Sequence, residues 1–362
     1  MGVLTALAIL AGLIVVHEAG HFLAARWQGI RVSGFSIGFG PPLLQWRRAG
    51  VLYALRLIPL GGFVSFPDDE EDSDIPADDP DLLRNRPLPQ RALVIAAGVL
   101  ANLLLAWLVL VSQGLVLGIP DGFSATPGVL VAAVQPAQAA EAAGLRGGDR
   151  ILSLQGRSLG GGQQAVSTLV QAIRQAGDKT LELQIQRGEQ TRSLALTPVD
   201  QDGIGRIGAQ LQPSGQESFR PARGPLEPFR QASADVLALT RRTIDGFVSL
   251  ATHFGETVPQ VSGPVKIVAM GASLAKQGGG SLYLFTALIS INLAVLNALP
   301  LPLLDGGQFA LLLLEGLRGR PLPERFQMAF LQSGFVFLVG LSLLLIVRDT
   351  SQLPAVQQLL GR

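Results

Sequence analysis

Val3-Leu-Thr-Ala-Leu-Ala-Ile-Leu-Ala-Gly-Leu-Ile-Val-Val-His17-Glu18-Ala-Gly-His21-Phe-Leu-Ala-Ala25 is an almost unbroken apolar run. It is long enough to cross a bilayer as a helix. Ionisable side chains at that depth are costly and mark function. His17 and His21 stand four residues apart, so a helix puts both imidazoles on one face with Glu18 beside them. His-Glu-x-x-His in that setting binds zinc and activates water. With only three His and eleven Glu in the chain, chance would produce this arrangement about once in two thousand such sequences. Two histidines merely satisfied in a core would leave the lipid-depth charges without a purpose. The run therefore points to metal-dependent hydrolysis carried out inside a membrane.

The rest of the composition agrees. Of 362 residues, 48% are hydrophobic and 15% charged, against roughly 25% charged in soluble domains. The deficit is concentrated in four apolar stretches, near residues 3–25, 92–117, 282–314 and 330–347. The first has no basic segment before it and no small-residue cleavage site after it, and Arg26 and Arg31 follow it, so it reads as a retained transmembrane helix rather than a signal peptide. The third is longer than the ~20 residues one crossing needs. It is interrupted by Pro300 and Pro302, which predicts a broken helix whose freed backbone faces protein or water. A net charge of +1 offers no polyanion-binding surface, and nucleic acid is excluded as a partner. There is no cysteine, so a zinc site must be built from His, Asp or Glu.

These stretches predict a polytopic α-helical membrane protein with four transmembrane helices, at 1–25, 92–117, 281–316 and 330–348. Residues 26–91 form a loop with a membrane-associated β-hairpin region, its strand-like runs at 32–39 and 51–64. Residues 68–81 carry nine carboxylates and no base, the pattern of a solvated, mobile linker. An inserted α+β domain occupies 118–205. A linker and amphipathic helices follow over 206–280, with 225–254 packed on its neighbours. A short loop covers 317–329 and a tail 349–362. Arginines crowd the loops after the first and third spans, which makes those loops cytoplasmic and sets the inserted domain and both termini outside.

A catalytic zinc takes three protein ligands and a water. One further acidic residue lies within an apolar span and away from its ends: Asp305, in Asn297-Ala-Leu-Pro300-Leu-Pro302-Leu-Leu-Asp305-Gly-Gly307. His253 falls in the amphipathic region and reads as an ordinary packing or surface histidine. Asn297 could donate to an extended substrate backbone or to an oxyanion.

His17-Glu18-x-x-His21 followed by Asn297-x-x-Pro300-x-Pro302-x-Leu304-Asp305-Gly306 resembles the paired signature of the site-2 proteases, zinc intramembrane peptidases. The order of spans is similar to the bacterial group with a PDZ domain between spans two and three, the regulator-of-sigma-E protease type. Gly34 to Gly40, Tyr53 to Val64, Ala97-Gly-Val-Leu-Ala-Asn102 and Ser262-Gly-Pro-Val265 match as well. The resemblance covers nearly the whole chain. It implies one Zn²⁺ per chain on His17, His21 and Asp305, with Glu18 as general base. Asn297 would assist catalysis, and Pro300 and Pro302 would shape the substrate loop. Tyr53 to Val64 looks like the family's membrane-reentrant β-loop, which pairs with an extended substrate strand, so that Tyr53, Arg56, Gly61 and Gly62 would bind substrate. Ala143-Gly-Leu-Arg-Gly-Gly-Asp149-Arg-Ile-Leu-Ser-Leu-Gln-Gly156 is similar to the bacterial PDZ pattern and implies a peptide or chain terminus as a partner. There is one such domain where other members carry two in tandem, and Val99 stands where the family often has Pro. The implied partners are a transmembrane protein substrate, of the anti-sigma-factor or remnant-signal-peptide type, and the lipid bilayer. The implied place is a bacterial cytoplasmic membrane, with a thylakoid or plastid membrane as the alternative. The competing class is a PDZ-bearing membrane scaffold with a vestigial metal site. It has no need for all of His17, Glu18, His21 and Asp305. A metal transporter fits a single His-Glu-x-x-His and a PDZ domain poorly.

Overall fold

The computed structural model describes residues 2–69, 75–135, 137–201, 203–253, 263–277, 279–320 and 322–351. One compact unit comprises the chain up to Leu117 together with Ala222–Ile346, and a second comprises Gly118–Pro221, with which the division also groups the segment from Val347 on.

The first unit is built on helices. Apolar, Leu- and Ala-rich sequence without internal proline forms α1 (Gly2–Trp27) and α2 (Leu88–Val116). They cross at small residues. A Cβ on Gly20 would run into the Ala97 carbonyl and the Ala101 methyl group. Between them β1 (Gly34–Arg48) and β2 (Val51–Ser65) form an antiparallel hairpin. Its first strand extends beyond the expected run, through Arg48. Gly34 to Ile37 pair on one side with Leu52 to Leu55 and on the other with Gly62 to Ser65, so the two bent strands make a four-ribbon sheet. Ala25, Ile30, Val32, Val51 and Val94 join this sheet to the ends of α1 and α2.

The acidic run departs from the free linker expected of it. Asp79 pairs with Arg31 at 3.0 Å, Asp81 with Arg86 at 2.6 Å, and Asp68 lies 3.8 Å from Arg84. The Asn85 amide donates to the carbonyls of Ala77 and Asp79, and Leu82 is buried. Arginines flanking the run answer its carboxylates and hold its described part on the end of α1. Residues 70–74 of the run lie outside the described residues.

After the second unit the chain returns as α5 (Glu227–Thr252), a single helix, then α6 (Pro264–Gln277) and α7 (Gly279–Ala298). α5 is packed against α2 and α7 through Ala106, Leu110, Ala232, Ala287 and Ile291. The Trp107 indole donates to Ser233 at 3.0 Å and the Thr243 hydroxyl to the Asn292 amide oxygen at 2.9 Å. The long apolar stretch is two helices. α7 ends at Ala298, a loop carries the prolines, and α8 (Asp305–Arg318) restarts at Asp305 and stops at Gly319, whose φ of 67° is a left-handed cap. Proline excludes the helical conformation from the residue before it, which breaks the stretch there. α9 (Glu324–Ser351) closes the unit. Among the described residues, four helices are long and apolar enough to cross a membrane: Gly2–Trp27, Leu88–Val116, Gly280–Ala298 and Arg325–Leu344.

The second unit is an antiparallel sheet in the order β10-β3-β4-β6-β7, formed by β3 (Ile119–Val134), β4 (Arg150–Leu154), β6 (Leu181–Arg187), β7 (Gln190–Leu196) and β10 (Ala209–Arg220). The two-residue β5 (Arg157–Ser158) pairs with β4, and β8 (Val199–Gln201) pairs with β9 (Ile204–Arg206). Besides the one-turn α3 (Ala139–Ala142), it holds α4 (Gly162–Gln175), which buries Ala165, Val166, Leu169 and Ile173 along one face. They pack on Val129, Ile151, Leu183 and Ile185 of the sheet. The domain expected over 118–205 is one strand too short. β10 pairs with β3 along its length, from Ala209 opposite Val134 to Arg220 opposite Ile119, which takes the unit to Pro221.

Candidate metal centre

The middle of α1 faces the start of α8. His17 Nε2 lies 3.2 Å and His21 Nε2 3.4 Å from Asp305 Oδ2, and the two ring nitrogens are 3.3 Å apart. Donors at the tetrahedral angle around a zinc, at about 2.0–2.1 Å each, stand about 3.3–3.4 Å from one another. The three atoms thus form one face of a zinc tetrahedron and leave the fourth corner open. Asp305 Oδ2 is buried with no hydrogen-bond partner among the described residues. Three lone-pair atoms converging on one buried point are satisfied together by a cation. The same three residues form a cluster of metal-ligating groups in the structure.

Each imidazole is aimed by its other nitrogen. His21 Nδ1 donates to the Val94 carbonyl of α2 at 2.8 Å. His17 Nδ1 lies 3.1 Å from the side-chain amide nitrogen of the fully buried Asn102, whose Oδ1 has no hydrogen-bond partner among the described residues. Exchanging the amide's N and O by a half-turn satisfies both groups: Nδ1–H then donates to Oδ1 and the Nε2 lone pair is left for metal. Asn102 is itself held by the Ser290 hydroxyl of α7, which donates to its carbonyl at 2.8 Å. Gly98 makes room for both rings: a Cβ there would collide with His21 Nε2 and His17 Cε1.

Glu18 follows His17 on the helix and turns toward the hairpin, where its carboxylate is hydrogen-bonded by the Val64 backbone. Gly62 lies against it, with a Cβ there 3.1 Å from Glu18 Cγ and 2.9 Å from the Ser36 carbonyl. Gly61 has φ 111° and its missing Cβ faces the Phe39 ring, so it shapes the strand one residue from the site. Asn297 stands in the last turn of α7, half-buried. Pro300 and Pro302 form the loop before Asp305, folded so that the Ala298, Leu299 and Leu301 carbonyls fill the spaces where Gly306 and Gly307 lack side chains.

Two residues expected at the substrate make their described contacts within the hairpin and with the end of α1. Tyr53 stacks on Trp46, 5.4 Å between centroids, and packs with Phe22 and Phe35. Arg56 donates to the Gly40 carbonyl at 2.9 Å and to Ser36 Oγ at 3.3 Å, and its guanidinium lies 5.1 Å over the Phe63 ring. Aromatic stacking and an internal hydrogen-bond network account for both. His253 caps the end of α5, its Nδ1 2.8 Å from the Thr252 hydroxyl. Asn102 and Gly98 were not singled out from the residues alone. A polar Asn102 at mid-span carries the same signal as Asp305.

Residues 5–341 match the profile of peptidase family M50. The chain is 48% identical over 355 residues to "Putative zinc metalloprotease all3971" of Nostoc sp., covering 98% of this chain and 97% of that protein. It is 43% identical over 362 residues to "Membrane metalloprotease ARASP, chloroplastic" of Arabidopsis thaliana, covering 99% and 80%. At greater distance it is 30% identical over 352 residues to "Putative zinc metalloprotease CPE1693" of Clostridium perfringens, covering 96% and 98%.

Proposed function

The chain belongs to peptidase family M50 and is a zinc metalloprotease, and on that premise we propose that it is an intramembrane endopeptidase. Its substrates are single-span membrane proteins of the anti-sigma-factor or remnant-signal-peptide kind, cut within or beside the span in regulated intramembrane proteolysis. The observation that carries the reading is the triangle of His17, His21 and Asp305 donors, 3.2–3.4 Å on each edge, set in the second half of an apolar helix of 26 residues.

His17, His21 and Asp305 would hold one zinc per chain. Bound there, zinc polarises the scissile carbonyl and lowers the pKa of water to about 7. Glu18 accepts the proton of the attacking water and passes it to the departing amine, base first and acid second. Asn297, at the mouth of the proline loop, offers its amide to the substrate backbone or the oxyanion. A helical substrate hides its carbonyls, so it unwinds locally and is held as an extended strand. The outer edge of β2 near Gly62 supports this, since it runs past Glu18 and is open to strand addition. His17 lies about 14 residues into the span, roughly 21 Å at helical rise, which with the N-terminus outside sets the centre toward the cytoplasmic face.

We read the second unit as a single PDZ domain. β10 is an edge strand, and a cavity of about 420 Å³ lies between α4 at Val170, Ile173 and Arg174, the Gly205–Gly208 turn, and β10 at Ala209 and Leu211. An extended peptide or chain terminus adds to such an edge.

The test compares the parent and Glu18→Gln, both purified in detergent, for bound zinc and for cleavage of a model transmembrane substrate. One zinc in each and cleavage by the parent alone is the expected outcome. Equal cleavage by both removes Glu18 from the chemistry, and zinc in neither favours the scaffold with a vestigial site.

A further inference from the structure

α9 is the least buried of the four apolar helices. Phe335, Val336, Leu343, Leu344 and Val347 are all more than half exposed. Among the described residues of α9 a single one is buried, Gly334. The atoms nearest to it across the packing belong to Pro302. A Cβ built on Gly334 would lie 2.6 Å from both the carbonyl carbon and oxygen of Pro302, and closer still to its ring. The backbone of α9 therefore rests directly on the backbone of the proline loop.

That loop is clamped on its other side as well. The first turn of α8 presses Gly306 and Gly307 against the carbonyls of Ala298, Leu299 and Leu301. Inside the clamp Leu303 adopts φ 73°, a strained conformation for a branched residue that persists only where its surroundings enforce it. The Leu301 N–H closes a tight turn onto Leu299 O at 2.7 Å. α9 has a second tie at its start, where the Gln327 amide donates to Glu315 Oε1 at 3.3 Å and to the Leu322 carbonyl at 3.0 Å. The helix is thus tethered at its start and meets the proline loop at Pro302.

We propose that Gly334 is a positioning residue for substrate binding: the bare backbone of α9 at Gly334 sets the outer wall of the Pro300–Pro302 loop, and through it the track on which the substrate backbone lies. This rests on the protease reading of the same site. A methyl group at Gly334 has to move Pro302, whose backbone cannot yield as a flexible side chain would. Asp305 stands beyond the loop at the start of α8 and meets His17 and His21 of α1, whereas the atoms displaced first are those of Pro302. The effect therefore falls on substrate binding rather than on metal binding or the chemical step.

Gly340 supplies the control. It lies on the same helix, and nothing stands within 4 Å of a Cβ built there. The full-length parent, Gly334→Ala, Gly340→Ala and Glu18→Gln are compared for zinc content, melting temperature, and KM and kcat on a model transmembrane substrate. Gly334→Ala is expected to raise KM roughly tenfold while kcat stays within about twofold, with zinc content and melting temperature at parental values. Gly340→Ala is expected to match the parent throughout. An unchanged KM in Gly334→Ala overturns the proposal. So does a loss of zinc or of melting temperature that accounts for the lost activity, which would make Gly334 a packing residue only. Cleavage by Glu18→Gln equal to the parent would instead strike the protease reading itself, so the two failures are distinguishable.

Discussion

Asn102 has no room to be incidental: it is wholly buried at mid-span, its amide 3.1 Å from His17 Nδ1 and its carbonyl tied to Ser290. Groups that orient a metal-binding imidazole are worth about 10- to 100-fold in metal affinity. Asn102→Ala should therefore bind zinc 10- to 100-fold more weakly than the parent, measured by competition with a chelator in detergent, with the melting temperature of the apo protein little changed. Unchanged affinity would reduce Asn102 to a helix-packing group. His17, Glu18, His21 and Asp305 were legible because ionisable side chains in apolar sequence need a reason to be there. The orienting role of Asn102 was not, since 85 residues separate it from the ring it meets and only the crossing of α1 and α2 brings them together. The hairpin contacts of Arg56 and Tyr53 are hidden in the sequence for the converse reason. A polar or aromatic side chain near a site reads as available until its partners, Gly40, Ser36 and Phe63 for one and Trp46 for the other, are known.

At the scale of elements, apolar runs and prolines carried most of the information. The spans are long continuous stretches, and the break before Asp305 follows from what proline does to the residue preceding it. Pairing was less visible. The acidic run near 68–81 reads as repelling charge, yet Arg31, Arg84 and Arg86 neutralise its described part. β10 falls outside the domain read from the sequence because its partner, β3, stands most of the domain's length away along the chain. Within that domain Asp149 ties the Gly144–Asp149 turn to β6. Its carboxylate is buried and takes paired bonds of 2.7 Å from Arg187 and one of 2.8 Å from the Arg146 N–H. Burial alone would raise its pKa, but these bonds and the Arg187 charge outweigh it and hold the carboxyl below the usual carboxylate range. A depressed folded pKa contributes stability that is complete above the unfolded value of about 3.9 and is lost as pH falls through the folded value. Asp149 is buried but Arg187 is a quarter exposed, so losing the charge on Asp149 costs about 1.5–3 kcal/mol, the range for hydrogen bonds to a charged group. Asp149→Asn should thus lower the unfolding temperature of this domain clearly at pH 7, and the gap from the parent should narrow as pH falls below about 4. A gap independent of pH would mean that shape rather than charge is what Asp149 supplies.

The whole molecule adds a constraint that no single element carries, namely which side of the membrane each unit occupies. Four apolar helices and the excess of arginine after the first and third make cytoplasmic loops there the expectation, under which residues 118–221, following two spans, would emerge outside. The chain contains no cysteine, so one introduced thiol reports one position without background. Glu189 lies in the exposed turn between β6 and β7, after two spans, and Arg320 in the exposed connection between α8 and α9, after three. Neither is near the metal centre's ligands in sequence, so Glu189→Cys and Arg320→Cys should both retain proteolysis. In intact cells or right-side-out vesicles a membrane-impermeant maleimide should label Glu189→Cys at once and Arg320→Cys only after lysis. Labelling in the reverse order would invert the molecule. The His17, His21 and Asp305 centre would then lie nearer the outer face, and the cleaved substrate would release its fragment on that side. Labelling of both without lysis would mean that α7 does not span, because of the four apolar helices it alone lies between the two positions, whereas α9 follows Arg320 and cannot change the side on which either thiol stands.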